Sequence, residues 1–261
     1  MTLTTDRGST GSSRDELSGA PALIVVAHSG NDEAGRKAVD TLVTAVVSKL
    51  PGVTGRASYV DVQQPDVSSA LDTLEPGRAA VVVPLLLSTG HHVHSDLVRE
   101  LAHRHDRRVG VADLLGPQEA IIEVLGQRLA QVGLRDDDLV VLAAAGSSDH
   151  RAVRDCLDAG RMLASRLERP VTAGFIMAAV PHLSSAIETM RRLHPSARMV
   201  LSTYLLAPGL FADLATDAGA DVVAATLLVP GSPPPAGLVD LVASRYLDAA
   251  ARLSPTERDG L

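Results

Sequence analysis

The sequence predicts an α/β protein of two homologous (βα)4 domains, each with a mainly parallel four-stranded sheet, and a cleft between the two. Three observations carry this expectation. Short aliphatic runs such as Ala22 to Ala27 and Ala79 to Leu87 have the length of strands buried on both faces. Segments with apolar residues at helical spacing separate them, so that strand connections read as crossovers. Beyond Leu134 the alternation begins again, with local signatures in the same order.

The first strand, Ala22 to Ala27, delivers the chain into His28-Ser29-Gly30-Asn31-Asp32. From Val39, apolar residues at 39, 42, 43, 46, 47 and 50 trace one stripe of an amphipathic helix that Pro51-Gly52 ends. Arg56 to Val62 reads as the second strand. Pro65-Asp66 opens a helix through about Leu74, with Asp66 in its polarised first turn. The third strand stops at Ser88-Thr89-Gly90, and His91, His92, His94 and Asp96 follow at once. A helix over 95–103, a strand over 108–112 and a helix over 117–132 complete the unit. The polar break Arg135-Asp136-Asp137-Asp138 separates it from the next.

Four anchors then recur, each displaced by about 115 residues. The strand Val140 to Ala145 with Gly146-Ser147-Ser148-Asp149 repeats the His28 segment, and Ala145 stands where His28 stood. Pro181-His182-Leu183-Ser184-Ser185-Ala186 repeats Pro65-Asp66-Val67-Ser68-Ser69-Ala70. Pro208-Gly209-Leu210-Phe211 matches Thr89-Gly90-His91-His92, with Phe211 in the place of His92. Leu227-Leu228-Val229-Pro230 echoes Leu114-Leu115-Gly116-Pro117, and Ala236 to Leu253 closes the second unit. Expected boundaries are therefore a tail at 1–20, repeats at 21–134 and 135–252, and a second tail at 253–261. His28 and His92 are both replaced by apolar residues in the second repeat, which predicts a single site in the first repeat, faced by a wall from the second.

Composition narrows the function further. A formal charge of −7, aromatics at 2% and no tryptophan leave no basic surface or stacking platform for nucleic acid. The single cysteine, Cys156, excludes an internal disulfide framework and reads as a small core residue on a helix. Residues 1–19 combine no basic segment with an apolar core, and Ala79 to Leu87 is too short to span a membrane. A cytoplasmic protein with no membrane partner is expected.

Strand-end imidazoles beside a carboxylate point to something cationic or protic at the carboxyl edge of the first sheet. Ala27-His28-Ser29-Gly30-Asn31-Asp32, Gly90-His91-His92 and Leu115-Gly116-Pro117 together resemble the ATP-independent sirohydrochlorin chelatases, over roughly residues 22–250. The resemblance implies insertion of Fe²⁺ or Co²⁺, the metal being a substrate, into the tetrapyrrole precursor of sirohaem and cobalamin without ATP, and imidazole ligands suit Ni²⁺ as well. It implies His28 and His92 as metal ligands and catalytic residues, and Ser29, Gly30, Gly90, His91, His94, Asp96 and Phe211 around the substrate. It also implies a monomer whose second repeat stands in for a partner subunit. The family's usual order is His-Gly-Ser, and this chain exchanges the two small residues.

Two imidazoles suit such an ion because they leave most coordination positions open for transfer. A base titrating near neutrality, His94 or unligated His92, suits the two pyrrole protons that metallation displaces. Asp96 reads equally as a partner fixing a histidine tautomer or as a helix first-turn carboxylate. The polyanionic substrate implied by the resemblance calls for cations, and Arg36 and Arg99 are the nearest in sequence. Leu85, Leu87 and Leu206 join Phe211 as candidates for an apolar wall. A non-catalytic metal or tetrapyrrole carrier is the alternative reading, motivated by the exchanged Ser29-Gly30. Nucleotide binding lacks both the glycine fingerprint and a phosphate-loop lysine.

Overall fold

Six residues buried in succession, Ala22–Ala27 (β1), open the first sheet. A parallel strand covered on both faces has no solvent side on which to place a polar residue, and this run contains none. The computed structural model describes residues 19–28, 32–60, 65–89, 97–99, 101–102 and 104–253. After β1 come α1 (Glu33–Ser48), β2 (Gly55–Tyr59), α2 (Val67–Asp72), β3 (Ala80–Pro84), β4 (Val109–Val111) and α3 (Glu119–Gln131). Residues 97–99 and 101–102 are also helical. The second series runs β5 (Leu139–Ala144), α4 (His150–Leu167), β6 (Val171–Phe175), α5 (Leu183–Leu193), β7 (Met199–Tyr204), α6 (Leu210–Thr216), β8 (Val222–Val223) and α7 (Ala236–Leu253).

Two helix starts refine the sequence reading. The stripe beginning at Val39 belongs to a helix that starts six residues earlier, at Glu33. Its polar first turns show no apolar period and are secured instead by Asp32, whose carboxylate accepts the Gly35 N–H at 2.8 Å. Asp66 is likewise the N-cap of α2 rather than a first-turn residue, accepting the Ser69 N–H at 2.7 Å.

The two sheets are parallel throughout, in the orders β2-β1-β3-β4 and β6-β5-β7-β8. The α/β class and the parallel four-stranded sheets are thus as the repeat predicted. Each chain leaves its first strand to one side and returns on the other, so that Val26 pairs with Pro84 and Ala144 with Tyr204. Beyond the carboxyl ends of such a pair the crossovers diverge and leave a crevice, the usual ligand position of an open α/β sheet.

The closing helices are exchanged. Helix α3 packs on α4 and β7 of the second half, while α7 packs on α1, α3, β3 and β4. An arginine from each travelling helix bonds loop carbonyls of the half that it visits. Arg128 reaches Thr226 O at 3.1 Å and Leu227 O at 2.8 Å, and Arg245 reaches Leu114 O at 2.9 Å. Leu114 and Leu227 are equivalent residues of the repeat. The inner faces of both sheets therefore share one core: Leu23, Val25, Val81 and Val83 of the first lie in the same cluster as Leu142 and Val200 of the second. Smaller clusters, around Ile24, Val82 and Leu101 and around Val141, Leu201 and Ile187, back the outer faces.

Candidate functional site

His28 follows directly on β1 and is exposed, so the buried strand carries its imidazole to the carboxyl edge of the first sheet. The second half meets it there. The ring of Phe211, in the first turn of α6, lies with its centroid 6.4 Å from that of His28, tilted by 58°. Phe211 is half-buried against the outer core of the second sheet, which leaves the rest of its ring presented toward His28. The approach of the two halves is close. A Cβ on Gly35 would lie 2.6 Å from Pro208 O, and one on Gly209 would lie 3.7 Å from Asp32 Cβ. Only a residue without a side chain lets the start of α1 seat under the Pro208 carbonyl, and that contact fixes the end of β1 opposite α6.

The segment leaving β3 is tied at every residue. Leu85 N–H donates to Val26 O at 2.8 Å, and Leu86 O accepts from Leu115 N–H at 3.0 Å and Gly116 N–H at 3.3 Å. Leu87 O accepts the Tyr204 hydroxyl at 2.6 Å. The Ser88 hydroxyl bonds the Cys156 sulfur, and Thr89 donates both its N–H, at 2.7 Å, and its hydroxyl, at 2.5 Å, to one carboxylate oxygen of Asp155. Burial pushes the Cys156 thiol up to about 11, the Ser88 bond opposing it and the Asp155 charge adding to it, so Cys156 is a neutral packing residue. Burial also raises the Tyr204 hydroxyl far above its ordinary value, which keeps it a donor.

Of the residues singled out in the sequence, the structure brings together His28 and Phe211. Ser29, Gly30, Gly90, His91, His92, His94 and Asp96 lie outside the described residues. Leu85 is a core residue at 2% exposure, whereas Leu87 and Leu206 are half-buried on the shared core. Arg36 and Arg99 are exposed on helical residues, and His105, His150, His182 and His194 are exposed in turn. Among the described residues no group of three His, Cys, Asp or Glu side chains is placed to hold a metal ion. Asp155 and Tyr204 had no signal in the sequence: neither lies in a motif, and their partners stand 66 and 117 residues away.

This arrangement offers an exposed imidazole at a sheet crevice, an aromatic face across from it, and a tethered chain entering the second histidine motif. Such a site can hold a cation loosely on one side of a flat organic ligand.

The comparisons with known proteins agree with that geometry. Residues 22–132 match the CbiX family model. The chain is 24% identical over 198 residues to a sirohydrochlorin ferrochelatase of Priestia megaterium, covering 72% of this chain and 74% of that protein. It is 28% identical over 76 residues to a sirohydrochlorin cobaltochelatase of Sulfurisphaera tokodaii, covering 28% of this chain and 63% of that protein. SirB from Bacillus subtilis, in its structure with Fe³⁺, shares the fold with a TM-score of 0.70 at 18% identity, over 89% of this chain and 96% of its own. The CbiX match thus falls on the half that carries His28, and the likeness to a sirohydrochlorin ferrochelatase extends over 72% of the chain.

Proposed function

We propose that this protein inserts Fe²⁺ or Co²⁺ into sirohydrochlorin or a closely related tetrapyrrole, with His28 and His92 as the metal ligands. The observation that supports the reading most is the position of His28. It stands exposed at the carboxyl end of β1, beside the strand that leads into Gly90-His91-His92, with Phe211 of the other half 6.4 Å across from it. The family's ferrochelatase and cobaltochelatase point to the metals.

In the proposed reaction the macrocycle lies against the apolar face that includes Phe211. The two imidazoles hold the ion by few enough bonds that four pyrrole nitrogens can take it over. Two N–H bonds break as two metal–nitrogen bonds gain anionic character, and two protons leave. A histidine released from the metal, or His94, accepts them at neutral pH. Nothing in that sequence needs ATP, Ni²⁺ competes for the same nitrogen ligands, and Ser29, Gly30, Gly90, His91 and Asp96 shape the remainder of the site. The repeats at 21–134 and 135–252 act as one cytoplasmic monomer, the second half replacing a partner subunit, with no role for nucleic acid.

A non-catalytic carrier is the second reading, favoured by one observation. Gly146, which corresponds to Ser29, has φ +87° and would place a Cβ 1.9 Å from Met177 O, so a serine does not fit that turn. The experiment is anaerobic incubation of the protein with sirohydrochlorin and Co²⁺ or Fe²⁺, following the tetrapyrrole spectrum beside His28→Ala and His92→Ala. Metallation faster than the uncatalysed rate, lost in both variants, is expected. Binding of metal or tetrapyrrole with no acceleration would replace the chelatase with the carrier.

A further inference from the structure

We infer that Asp155 and Tyr204 of the second half are positioning residues that hold the chain entering Gly90-His91-His92 and so set the metal affinity of the first half. The inference rests on the chelatase reading for the role of that motif and on geometry for the rest. Residues 85 and 86 are secured within the first half, as any segment leaving a strand would be. Residues 87, 88 and 89 are bonded, among the described residues, by the second half, through the Tyr204 hydroxyl, the Cys156 sulfur and the Asp155 carboxylate.

Of these bonds the pair from Thr89 is the strongest in kind. Both donors meet one ionised oxygen at 2.7 and 2.5 Å, and charge-assisted bonds are roughly twice as strong as neutral ones. Together they fix the peptide N–H and the χ1 rotation of Thr89, the residue immediately before Gly90. Gly116 belongs to the same device. A Cβ there would stand 2.3 Å from Leu87 O and 2.4 Å from Tyr204 Oη, so the glycine of Leu115-Gly116-Pro117 leaves room for the Tyr204 bond. Val229, its counterpart in the second repeat, has no such demand, because the first repeat has Leu85 where the second has Tyr204.

Contact in the opposite direction is of another kind. The matching segment of the second half rests Pro208 O on Gly35, a steric seat that among the described residues receives no side-chain hydrogen bond from the first half. At this pair of segments, among the described residues, the polar brace runs from the second half to the half that carries His28 and His92, which is the direction that a metal-positioning role requires. A ligand displaced by about 1 Å can lose roughly 100-fold in rate, and outer partners of metal ligands commonly contribute 10–100-fold.

The test uses the full chain, with Thr89→Val, Thr89→Ser, Asp155→Ala and Tyr204→Phe. Co²⁺ affinity is measured by calorimetry without tetrapyrrole, and kcat and KM for sirohydrochlorin are measured with it. Thr89→Val and Asp155→Ala are expected to weaken Co²⁺ binding and lower kcat by about ten-fold or more, with KM for the tetrapyrrole within about two-fold. Tyr204→Phe should lose less, and Thr89→Ser, which restores the hydroxyl, should match the wild type. Folded Thr89→Val and Asp155→Ala proteins with wild-type Co²⁺ affinity would overturn the inference. So would losses that follow the thermal midpoint and are shared by Thr89→Ser. A wild-type chain that binds Co²⁺ but does not metallate would remove the chelatase reading, and the affinities of the four variants would still decide the bracing role.

Discussion

The turn after β1 and the turn after β5 stand at the same place in two sheets of identical order, yet they are built from different residues for different ends. After β5, Ala145 leads into Gly146, whose positive φ and contact with Met177 O exclude any side chain. The Met177 and Ile176 N–H groups bond Ala145 O and Ala144 O at 3.0 and 2.9 Å, so that this turn is closed against the neighbouring loop. After β1 the chain has His28 followed by Ser29. On the proposed function, a duplicated scaffold is kept for packing in one half and for chemistry in the other. The difference teaches that retained strand order is no sign of a retained site.

The sharpest way to break that division of labour is to remove the imidazole. His28→Ala is expected to lower the metallation rate by at least about 100-fold, because even outer partners of a metal ligand contribute up to about that much. His28 is exposed, so its thermal midpoint should hardly move. Retention of most of the rate would place the chemistry elsewhere in the cleft. The complementary change, Gly146→Ser in the second half, should do the reverse. Forcing a serine into the left-handed region costs about 1–3 kcal/mol, and the blocked contact at Met177 O adds to it, while metallation per folded molecule persists. Urea unfolding of the two variants side by side separates scaffold from site.

A smaller contrast lies in the exchanged helices. Arg128 makes two bonds to the second half's loop, through Nε and a terminal nitrogen, and Arg245 makes one to the first half's. Bonds from a charged donor contribute about 1.5–3 kcal/mol each at most, and burial already depresses the Arg128 guanidinium somewhat. Arg128→Ala should therefore destabilise more than Arg245→Ala, by roughly 1 kcal/mol in equilibrium unfolding. Equal effects would mean that the apolar contacts of α3 and α7 hold the exchange and that the arginines merely follow it.

Much of this was legible because the signals are local. Aliphatic runs, helix periods and the order of four anchors are written within a few residues each, and they yielded both sheets and the strand that presents His28. The start of α1 was not legible, since Glu33 to Lys37 is polar and the cap that secures it is one aspartate among several. Nor was the exchange of α3 and α7, because an amphipathic stripe specifies that a face is buried and not which sheet buries it. Phe211 was singled out as the residue replacing a histidine and as a candidate for the apolar wall. Its placement across from His28 depends on how two halves close, which no local pattern records. Asp155, Cys156 and Tyr204 act on a segment 66 to 117 residues away, and such pairings emerge only when the chain is folded.

The smallest expected difference between the halves is in acid. Arg108 and Asp221 each stand immediately before the edge strand of their sheet, β4 and β8. Arg108 reaches out to Leu253 O at 2.9 Å, whereas the Asp221 carboxylate turns back to accept Met199 N–H at 2.7 Å and Arg191 at 3.1 Å. The Met199 N–H first, opposed by burial, and then the bond and charge of Arg191 hold the Asp221 carboxyl below the usual carboxylate range. A carboxyl whose folded value is depressed stabilises the protein above its unfolded value near 4, and that contribution is lost as pH falls through the folded value. Solvent screens a side chain that is 36% exposed, so the contribution should be under about 1 kcal/mol. Asp221→Asn keeps an acceptor for Met199 N–H and removes the charge. It should thus be slightly less stable than wild type at pH 7 and equal to it below about pH 3, as read by urea unfolding at both pH values. If the two proteins differ by the same amount at both, the carboxylate acts as a neutral acceptor would, and the acid sensitivity of the second sheet must arise from another group.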